Sequence, residues 1–437
     1  MKKRWLAGLL FWGLFLGGTA QETDKMQWFR DAKLGIFIHW GIYAVDGVSE
    51  SWSFHNRQVT YSDYMKQLKG FTANRYQPQQ WVDLIKATGA GYAVLTTKHH
   101  DGVALYPTRF NDLHVVKQTP ARRDLATPFY ESLRKAGLKV GAYFSLLDWS
   151  HPDYPGFLKD SSRYKREDDP ARWGRYLQFC HGQIDEIMQN WRPDLIWFDG
   201  DWEHPGEAWQ APRIREIILN RHPGAIINSR LGVYGDYATP EQNLPITPPD
   251  RPEWELCMTP NYNWGYRPSD TAYKTPYELI TIFADVVGRG GNLLFDIGPK
   301  EDGTLPAEQM AQLQALARWN QKHREAIFST KAGLPEGHFY GPSTLSKDST
   351  TLYLFLPSQA SGKAMIKGLD NAIQKIEVVG TGRQLGHKVV GKISWSHVPG
   401  LVYIDAIPAA AQDEHMTVLK LTLYKPLKLY RGKGGFH

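Results

Sequence analysis

The chain has 437 residues, long enough to bury a core without covalent staples, and only two cysteines, Cys180 and Cys257. Two cysteines make neither a disulfide framework nor a zinc cluster, and they are read as one bridge or as two buried thiols. The formal charge is +6, and Lys and Arg are interleaved with Asp and Glu, without long runs of one sign. This pattern is typical of a solvated mixed surface, so we expect no nucleic-acid partner.

The first twenty residues have the features of a secretory signal peptide. Lys2, Lys3 and Arg4 precede a mostly apolar run at 5–16, and small residues lead up to Ala20. The run is shorter than the roughly 20 residues of a membrane-spanning helix. We therefore expect residues 1–20 to be removed on export, which leaves a periplasmic or extracellular protein without a membrane anchor and lowers the formal charge from +6 to +3.

Residues 21–332 alternate apolar β-rich runs with stretches of helical spacing, which predicts an α/β domain. The predicted strands, apolar enough to be buried on both faces, are 35–39, 92–97, 139–146, 194–198, 225–228, 254–258 and 292–295. The predicted helices are 79–88, 128–136, 171–190, 211–220, 276–287 and 306–323. Seven strands and a proline-rich link at 231–253 favour a distorted (β/α)8-like TIM barrel.

The character of the sequence changes after residue 332. Short β-rich runs at 351–356, 373–379, 401–404 and 416–424 are separated by Gly, Pro, Ser and Asp. This spacing predicts a C-terminal β-sandwich over residues 333–437. Its expected role is to pack against the barrel, and carbohydrate binding is the alternative.

Polar residues follow the predicted barrel strands, where a parallel barrel places its functional groups. They are His39 to Gly41, Lys98 to Gly102, Ser145 to Asp148, Asp199 to Asp201, Ser229 and Arg230, Glu255, and Asp296. Each alone is explained by a turn or a structural hydrogen bond. Together they would bring carboxylates, three histidines and an arginine to one rim, and these are the groups that glycosidic bond cleavage needs.

Six stretches of the barrel carry a specific resemblance. They are WFRDAKLGIFIHWG from Trp28, TTKHHDGVALYPT from Thr96, PDLIWFDGDW from Pro193, NSRLG from Asn228, WELCMTPNYNWGY from Trp254 and GGNLLFDIGP from Gly290. In this order they resemble glycoside hydrolase family 29, the retaining α-L-fucosidases. The resemblance implies a (β/α)8-like barrel with a C-terminal β-sandwich, and an enzyme that releases terminal α-L-fucose from fucosylated oligosaccharides or glycoproteins.

The resemblance also implies roles for individual residues. Asp199, in its Trp-x-Asp-Gly setting, matches the nucleophile, which a strand end would hold rigidly while it forms and releases a glycosyl ester. The residues that match or neighbour sugar-binding positions are His39, Trp40, Glu50, Trp52, His99, His100, Tyr143, Trp197, Arg230 and Trp264. Imidazoles and a guanidinium fork offer directed hydrogen bonds to ring hydroxyls, as a monosaccharide pocket requires.

The general acid/base is the open assignment, because its position varies within the family. The candidates are Glu50, Glu203, Glu253 and Glu255. Glu255 is preferred because it belongs to a strand separate from that of Asp199, and because Trp254 and Trp264 would desolvate it and raise its pKa. A structural salt bridge is the alternative role for Glu255.

We expect neither a metal nor another cofactor. His99 and His100 are adjacent, so they point to opposite faces of a strand, and no three-ligand spacing accompanies them. Three alternatives to the fucosidase hypothesis remain: a retaining glycosidase for a related sugar such as an L-galactoside, a carbohydrate-binding barrel without activity, and a metal-dependent hydrolase. The oligomeric state is not determined by the sequence.

Overall fold

The computed structural model describes residues 24–358 and 362–432, so the predicted signal peptide at 1–20 lies outside the described residues. The strands are β1 (Leu34–Ile38), β2 (Tyr92–Lys98), β3 (Lys139–Ser145), β4 (Gly156–Leu158), β5 (Ser161–Ser162), β6 (Leu195–Asp199), β7 (Ile226–Ile227), β8 (Arg230–Val233), β9 (Glu255–Met258), β10 (Asn292–Ile297), β11 (Lys331–Ala332), β12 (Ser343–Leu345), β13 (Thr351–Pro357), β14 (Ala364–Lys367), β15 (Ile373–Val378), β16 (His387–Val390), β17 (Leu401–Ile404) and β18 (Met416–Leu423). The α-helices are α1 (Gln27–Ala32), α2 (Trp52–His55), α3 (Tyr61–Lys66), α4 (Pro78–Ala87), α5 (Val115–Gln118), α6 (Ala126–Lys135), α7 (Pro170–Trp191), α8 (Gly206–Trp209), α9 (Ala211–Arg221), α10 (Pro276–Gly288) and α11 (Ala307–Ile327).

The longer helices begin where the sequence satisfies the free N–H groups of a first turn. Helices α4, α7 and α10 each have proline in the first turn, where its missing N–H costs nothing. The Asp169 side chain caps α7 by accepting from the backbone N–H of Arg172 at 2.9 Å. Thr275 and Glu278 form a reciprocal capping box at the start of α10. These local signals account for the agreement between the predicted and observed helix starts.

A seven-stranded parallel sheet forms the first domain, in the order β7-β6-β3-β2-β1-β10-β9. The first strand, β1, lies between β2 and β10. The sheet therefore curls so that a strand from the start of the chain pairs with a strand from the end of the barrel. Its edges, β7 and β9, are bridged by residues 237–241, which make isolated parallel bridges to Asn228 on one side and to Trp254 and Cys257 on the other. The predicted distorted barrel followed by a β-sandwich is confirmed, and the proline-rich link supplies the irregular eighth position.

Alternation along the strands sorts the apolar side chains into two cores. Ile36 and Ile38 of β1 belong to the large core that includes the helices. Phe37, between them, packs with Tyr143 and Trp197 in a separate cluster of residues from neighbouring strands. That cluster is the barrel interior, and its side chains lead directly to the carboxyl ends of the strands.

The C-terminal part has a five-stranded antiparallel sheet, β11-β12-β13-β18-β15, and a three-stranded one, β14-β17-β16. Both sheets contribute to one apolar core, with Leu354 and Leu419 from the first and Ile366 and Ile404 from the second. Trp319 of α11 joins this part to the barrel, because its indole Nε1–H donates to the Met416 carbonyl at 2.9 Å. The boundary between residues 332 and 333 stays a prediction.

Cys180 and Cys257 are both buried and free, so the alternative of two thiols describes them. In the ranges 24–358 and 362–432, no helix combines the length and apolar character needed to cross a bilayer.

Candidate active site

A cavity of about 520 Å³ opens at the carboxyl ends of the barrel strands. Its lining residues are Phe37, His39, Trp52, His99, Tyr143, Trp197, Asp199, Asp201, Trp202, Arg230, Glu241 and Trp264. The volume lies within the roughly 300–1,000 Å³ of small-molecule sites. The lining combines aromatic rings with a few charged groups, as carbohydrate recognition requires.

Asp199 ends β6 and is held from two sides. The Tyr143 hydroxyl donates to Oδ2 at 2.8 Å, and Arg230 Nη1 donates to Oδ1 at 2.8 Å. The register of β3 and β6 explains the first contact, because Ser145 pairs with Asp199 and Tyr143 lies two residues earlier on the same face. Burial raises the pKa of Tyr143 well above its ordinary value, so its hydroxyl keeps the proton that it donates.

Three buried histidines lie near Asp199, each with a hydrogen bond at Nδ1. The partners are Asp296 for His39 at 2.7 Å, Ser51 for His99 at 2.6 Å and Ser145 for His100 at 2.6 Å. Burial lowers the pKa of all three imidazoles well below the ordinary value. They are therefore neutral at neutral pH, and each retains Nε2 for a further hydrogen bond. His99 and His100 were expected to point to opposite faces, but they follow the end of β2, and their ring centres lie 4.2 Å apart.

The hydrogen bonds of Ser145 define the tautomer of His100. Ser145 Oγ–H donates to the Leu147 carbonyl at 2.7 Å, so its oxygen accepts from His100 Nδ1–H. Nε2 of the neutral ring is then an acceptor, and it lies 3.5 Å from Asp199 Oδ2. Asp199 Oδ2 already accepts from Tyr143, so His100 Nε2 is the acceptor that remains for an external donor such as a substrate hydroxyl.

Arg230 connects Asp199 to a second carboxylate. One terminal nitrogen contacts Asp199, and the other, Nη2, donates to Oε2 of Glu241. The guanidinium also lies 4.5 Å from the centre of the Trp197 ring, a cation–π contact. A single planar group thus separates two carboxylates in the same cavity.

Among the predicted substrate-binding residues, Trp40, Glu50 and His100 are not part of the cavity lining, although His100 Nε2 lies 3.5 Å from Asp199 Oδ2. Trp40 is 1 % exposed and packs among Phe71, Tyr76 and Trp81 in the helix-side core. Its neighbour His39 points into the barrel, and alternation along the chain sends Trp40 the other way. Glu50 is buried behind Trp264, where its Oε1 accepts from the Gly265 N–H, and burial raises its pKa to about 7.

Glu255 also lies away from the cavity lining. It is the first residue of β9, so its side chain lies at the amino end of the barrel interior, and it is 0 % exposed. It accepts hydrogen bonds from the Tyr92 hydroxyl and from Trp197 Nε1, the latter at 2.9 Å. Burial does raise its pKa, to about 7, as expected from the sequence. Trp197 lines the cavity itself, so its indole separates Glu255 from the position of a substrate.

Neither of the other acid candidates lines the cavity. Glu203 accepts from Trp149 Nε1 at 3.0 Å and from the Tyr154 hydroxyl, outside the cavity of Asp199. Glu253 pairs with Arg30 at 2.7 Å. Both carboxylates have structural partners.

Four lining residues are not among the predicted catalytic and substrate-binding residues: Phe37, Asp201, Trp202 and Glu241, of which Asp201 was predicted only as part of the polar rim. Asp201 and Trp202 follow the nucleophile candidate within the PDLIWFDGDW stretch, so their position at the rim was readable from the sequence. Glu241 lies in the link at 231–253, and its position depends on the bridge between Glu241 and Cys257. In the sequence, Glu241 stands out only as the one acidic residue of the segment 237–241, which takes the place of an eighth strand.

The described residues contain no group of three or more His, Cys, Asp or Glu side chains arranged to hold a metal ion.

Comparison with known proteins adds independent findings. The family model described as Alpha-L-fucosidase matches residues 18–325. Human tissue alpha-L-fucosidase is 29 % identical over 434 residues, which cover 90 % of this chain and 88 % of that protein. The structure of alpha-L-fucosidase isoenzyme 1 from Paenibacillus thiaminolyticus superposes with a TM-score of 0.83 at 30 % identity, covering 92 % of this chain and 99 % of that one. A GH29 alpha-L-fucosidase from Bacteroides thetaiotaomicron, solved as a trapped covalent intermediate, has a TM-score of 0.81 at 26 % identity, covering 91 % and 96 %.

Proposed function

Because the chain belongs to the alpha-L-fucosidase family, we propose that it is an exo-acting, retaining α-L-fucosidase that hydrolyses terminal α-L-fucosides of glycans. The observation that carries the proposal is the setting of Asp199, a strand-end carboxylate held by Tyr143 and Arg230 on the wall of an aromatic cavity. The neutral histidines beside it supply hydrogen-bonding groups for a sugar without adding charge.

Asp199 acts as the nucleophile. One carboxylate oxygen attacks the anomeric carbon, the bond to the leaving oxygen breaks, and a β-linked fucosyl ester forms. Tyr143 and Arg230 hold one oxygen each, so the carboxylate cannot rotate away from its line of attack. Water then displaces Asp199 and releases α-L-fucose with net retention.

Glu241 acts as the general acid/base in place of Glu255. It lies in the same cavity as Asp199, and its side chain is 39 % exposed, so it can exchange protons with solvent. In the first step it protonates the leaving oxygen, and in the second it takes a proton from the attacking water. The contact of one guanidinium with both carboxylates is compatible with the separation of roughly 5 to 5.5 Å that retaining enzymes use.

His39 and His99, which line the cavity, bind hydroxyl groups of the fucosyl ring through Nε2, and Trp264 and Trp52 provide aromatic walls. His100 offers its Nε2 from beside Asp199. Trp264 lies against His39 with ring centres 4.9 Å apart. Glu50 supports this wall through its bond to the Gly265 N–H. The methyl group of fucose is an apolar end that suits an aromatic surface.

The substrates are fucosylated oligosaccharides or glycoproteins, and neither nucleic acid nor a membrane takes part. The signal peptide at 1–20 exports the enzyme to the periplasm or the medium. N-terminal sequencing of the secreted protein tests this, since a mature chain that begins at Gln21 is expected.

Two measurements test the activity and its acid. Product NMR recorded before mutarotation should show α-L-fucose first, and β-L-fucose as the first product would exclude the covalent route. Glu241→Ala should lose activity on natural oligosaccharides by several orders of magnitude but retain much more on aryl fucosides with activated leaving groups, and azide should rescue it as α-fucosyl azide. Glu253→Ala is the matched control outside the cavity. Equal loss on both substrate types without azide rescue would reject Glu241.

A further inference from the structure

The cavity extends from Asp199 to two tryptophans at its mouth. Trp202 is 50 % exposed and lines the same cavity as Asp199. Its ring is nearly parallel to that of Trp52, with centres 6.0 Å apart and planes inclined by 21°. His100 meets the Trp202 ring at 89°, with centres 5.6 Å apart. A large aromatic surface thus stands beside the nucleophile and remains half open, although nothing in the bond-breaking chemistry requires it.

The turn that carries Trp202 is held firmly. It begins at Gly200, whose φ of 89° suits glycine and where a Cβ would lie 2.4 Å from Leu147 Cγ. It ends at Glu203, which accepts from Trp149 Nε1 at 3.0 Å and from the Tyr154 hydroxyl. The buried partners of Glu203 therefore fix Trp202 relative to Asp199, so its exposed ring belongs to a defined surface.

The turn that carries Trp202 lies beside the strand that connects Asp199 to the proposed acid. The turn packs against β8, the strand that begins with Arg230. Arg230 holds Glu241, and the group protonated by that acid must lie beside it. Because Glu241 and Trp202 line the same cavity, the space between them is open to the group attached to the bond that breaks.

We propose that Trp202, supported by Trp52, forms the binding site for the sugar attached to the departing oxygen, and that this sugar is a hexopyranose with one apolar face. This inference rests on the proposed fucosidase function. The C–H bonds of such a sugar gather on one face and carry partial positive charge, which the negative face of an indole attracts. A rigid tryptophan offers this surface at little cost in conformational entropy, as aromatic residues do in other binding sites.

The consequence is a preference for leaving groups that are sugars. A fucosyl group attached to a hexopyranose gains contact with Trp202, whereas α-L-fucosyl fluoride, whose leaving group is one atom, gains none. The site therefore contributes to the specificity of the enzyme for oligosaccharides and not to the chemistry at the anomeric carbon.

The test compares wild type, Trp202→Ala and Trp202→Phe on two substrates, α-L-fucosyl fluoride and a fucosyl disaccharide. The linkage of the disaccharide is the one that wild type cleaves fastest. Trp202→Ala should lower kcat/KM for the disaccharide by about tenfold or more relative to the fluoride, mainly through KM. Trp202→Phe should recover part of the loss. Trp395→Ala, which removes a tryptophan 69 % exposed in the C-terminal sandwich, is the control and should change neither substrate.

Equal losses on fluoride and disaccharide would overturn the inference, because they would mean that Trp202 only supports His100. A disaccharide activity that does not change in Trp202→Ala would overturn it as well. A wild-type protein that cleaves neither substrate would instead overturn the proposed function, and this inference with it.

Discussion

Replacing Glu255 by glutamine is expected to stabilise the protein increasingly as the pH rises. Glu255 is 0 % exposed, and burial raises its pKa to about 7 from the ordinary value of 4.5. A raised pKa in the folded state means that this group favours folding fully below about pH 4.5 and loses that contribution as the pH rises through about 7. At 1.36 kcal/mol per pKa unit, the difference amounts to about 3 kcal/mol of unfolding free energy.

Glutamine suits the site because its two ends can serve both neighbours. The amide oxygen accepts from Trp197 Nε1, and the amide nitrogen donates to the Tyr92 hydroxyl, which can accept after its proton rotates. Urea unfolding of wild type and Glu255→Gln at pH 5, 6, 7 and 8 measures the effect. The stability difference should grow across this range and level off above about pH 7. Glu131→Gln, at an exposed position of α6, is the control and should show no such growth.

A stability difference that stays constant with pH would refute the reasoning, since Glu255 would then titrate alike in folded and unfolded chains.

The activity of the same variant is a second test. Glu255→Gln should still cleave natural fucosides, because Trp197 separates the residue from the cavity. Loss on natural fucosides with sparing of activated aryl fucosides would return the role of general acid to Glu255.

Three further outcomes are expected. Asp199→Ala should fold normally and lower turnover on every substrate by several orders of magnitude, and near-normal activity would move the nucleophile to another carboxylate. EDTA should leave activity intact because the histidines bind sugar, whereas inactivation reversed by zinc would contradict this role. Trp40→Phe should lower the unfolding free energy by about 1–3 kcal/mol, because packing and the hydrogen bond from Nε1 to the Lys300 carbonyl are lost. Its KM should not change, and a raised KM would show that Trp40 contacts the sugar.

The fold followed from local patterns. Continuous apolar runs marked strands buried on both faces, as the fully buried β1 and β2 illustrate. Helix starts were readable because caps and prolines act within one turn, as at Thr275 and Pro276. The segment that takes the place of an eighth strand could not be predicted. Residues 237–241 contact β9 and its flanking residue through isolated bridges, and such bridges leave no periodic pattern in the sequence.

The site was predictable where it depends on strand ends. Asp199 ends β6, and Tyr143 lies two residues before the end of the neighbouring parallel strand β3, so topology alone brings them to one rim. Glu255 was placed at the rim with the residues that follow strands, although the predicted strand at 254–258 contains it near the strand's start. Its place at the start of β9 puts it at the amino end of the barrel interior.

The sequence by itself determined the alternating α/β order, the sandwich that follows, and the strand-end positions of Asp199 and the histidines. The elements follow from hydrophobic periodicity, which is a property of a few neighbouring residues. The strand-end positions follow from parallel pairing, which brings the carboxyl ends of all strands to one face of the barrel. Only the tertiary structure decided that Arg230 joins Asp199 to Glu241, and that Trp197 separates Glu255 from the cavity. Those relations join residues 11 to 58 positions apart in the chain, so they depend on how the barrel closes and on which direction each side chain takes from its strand.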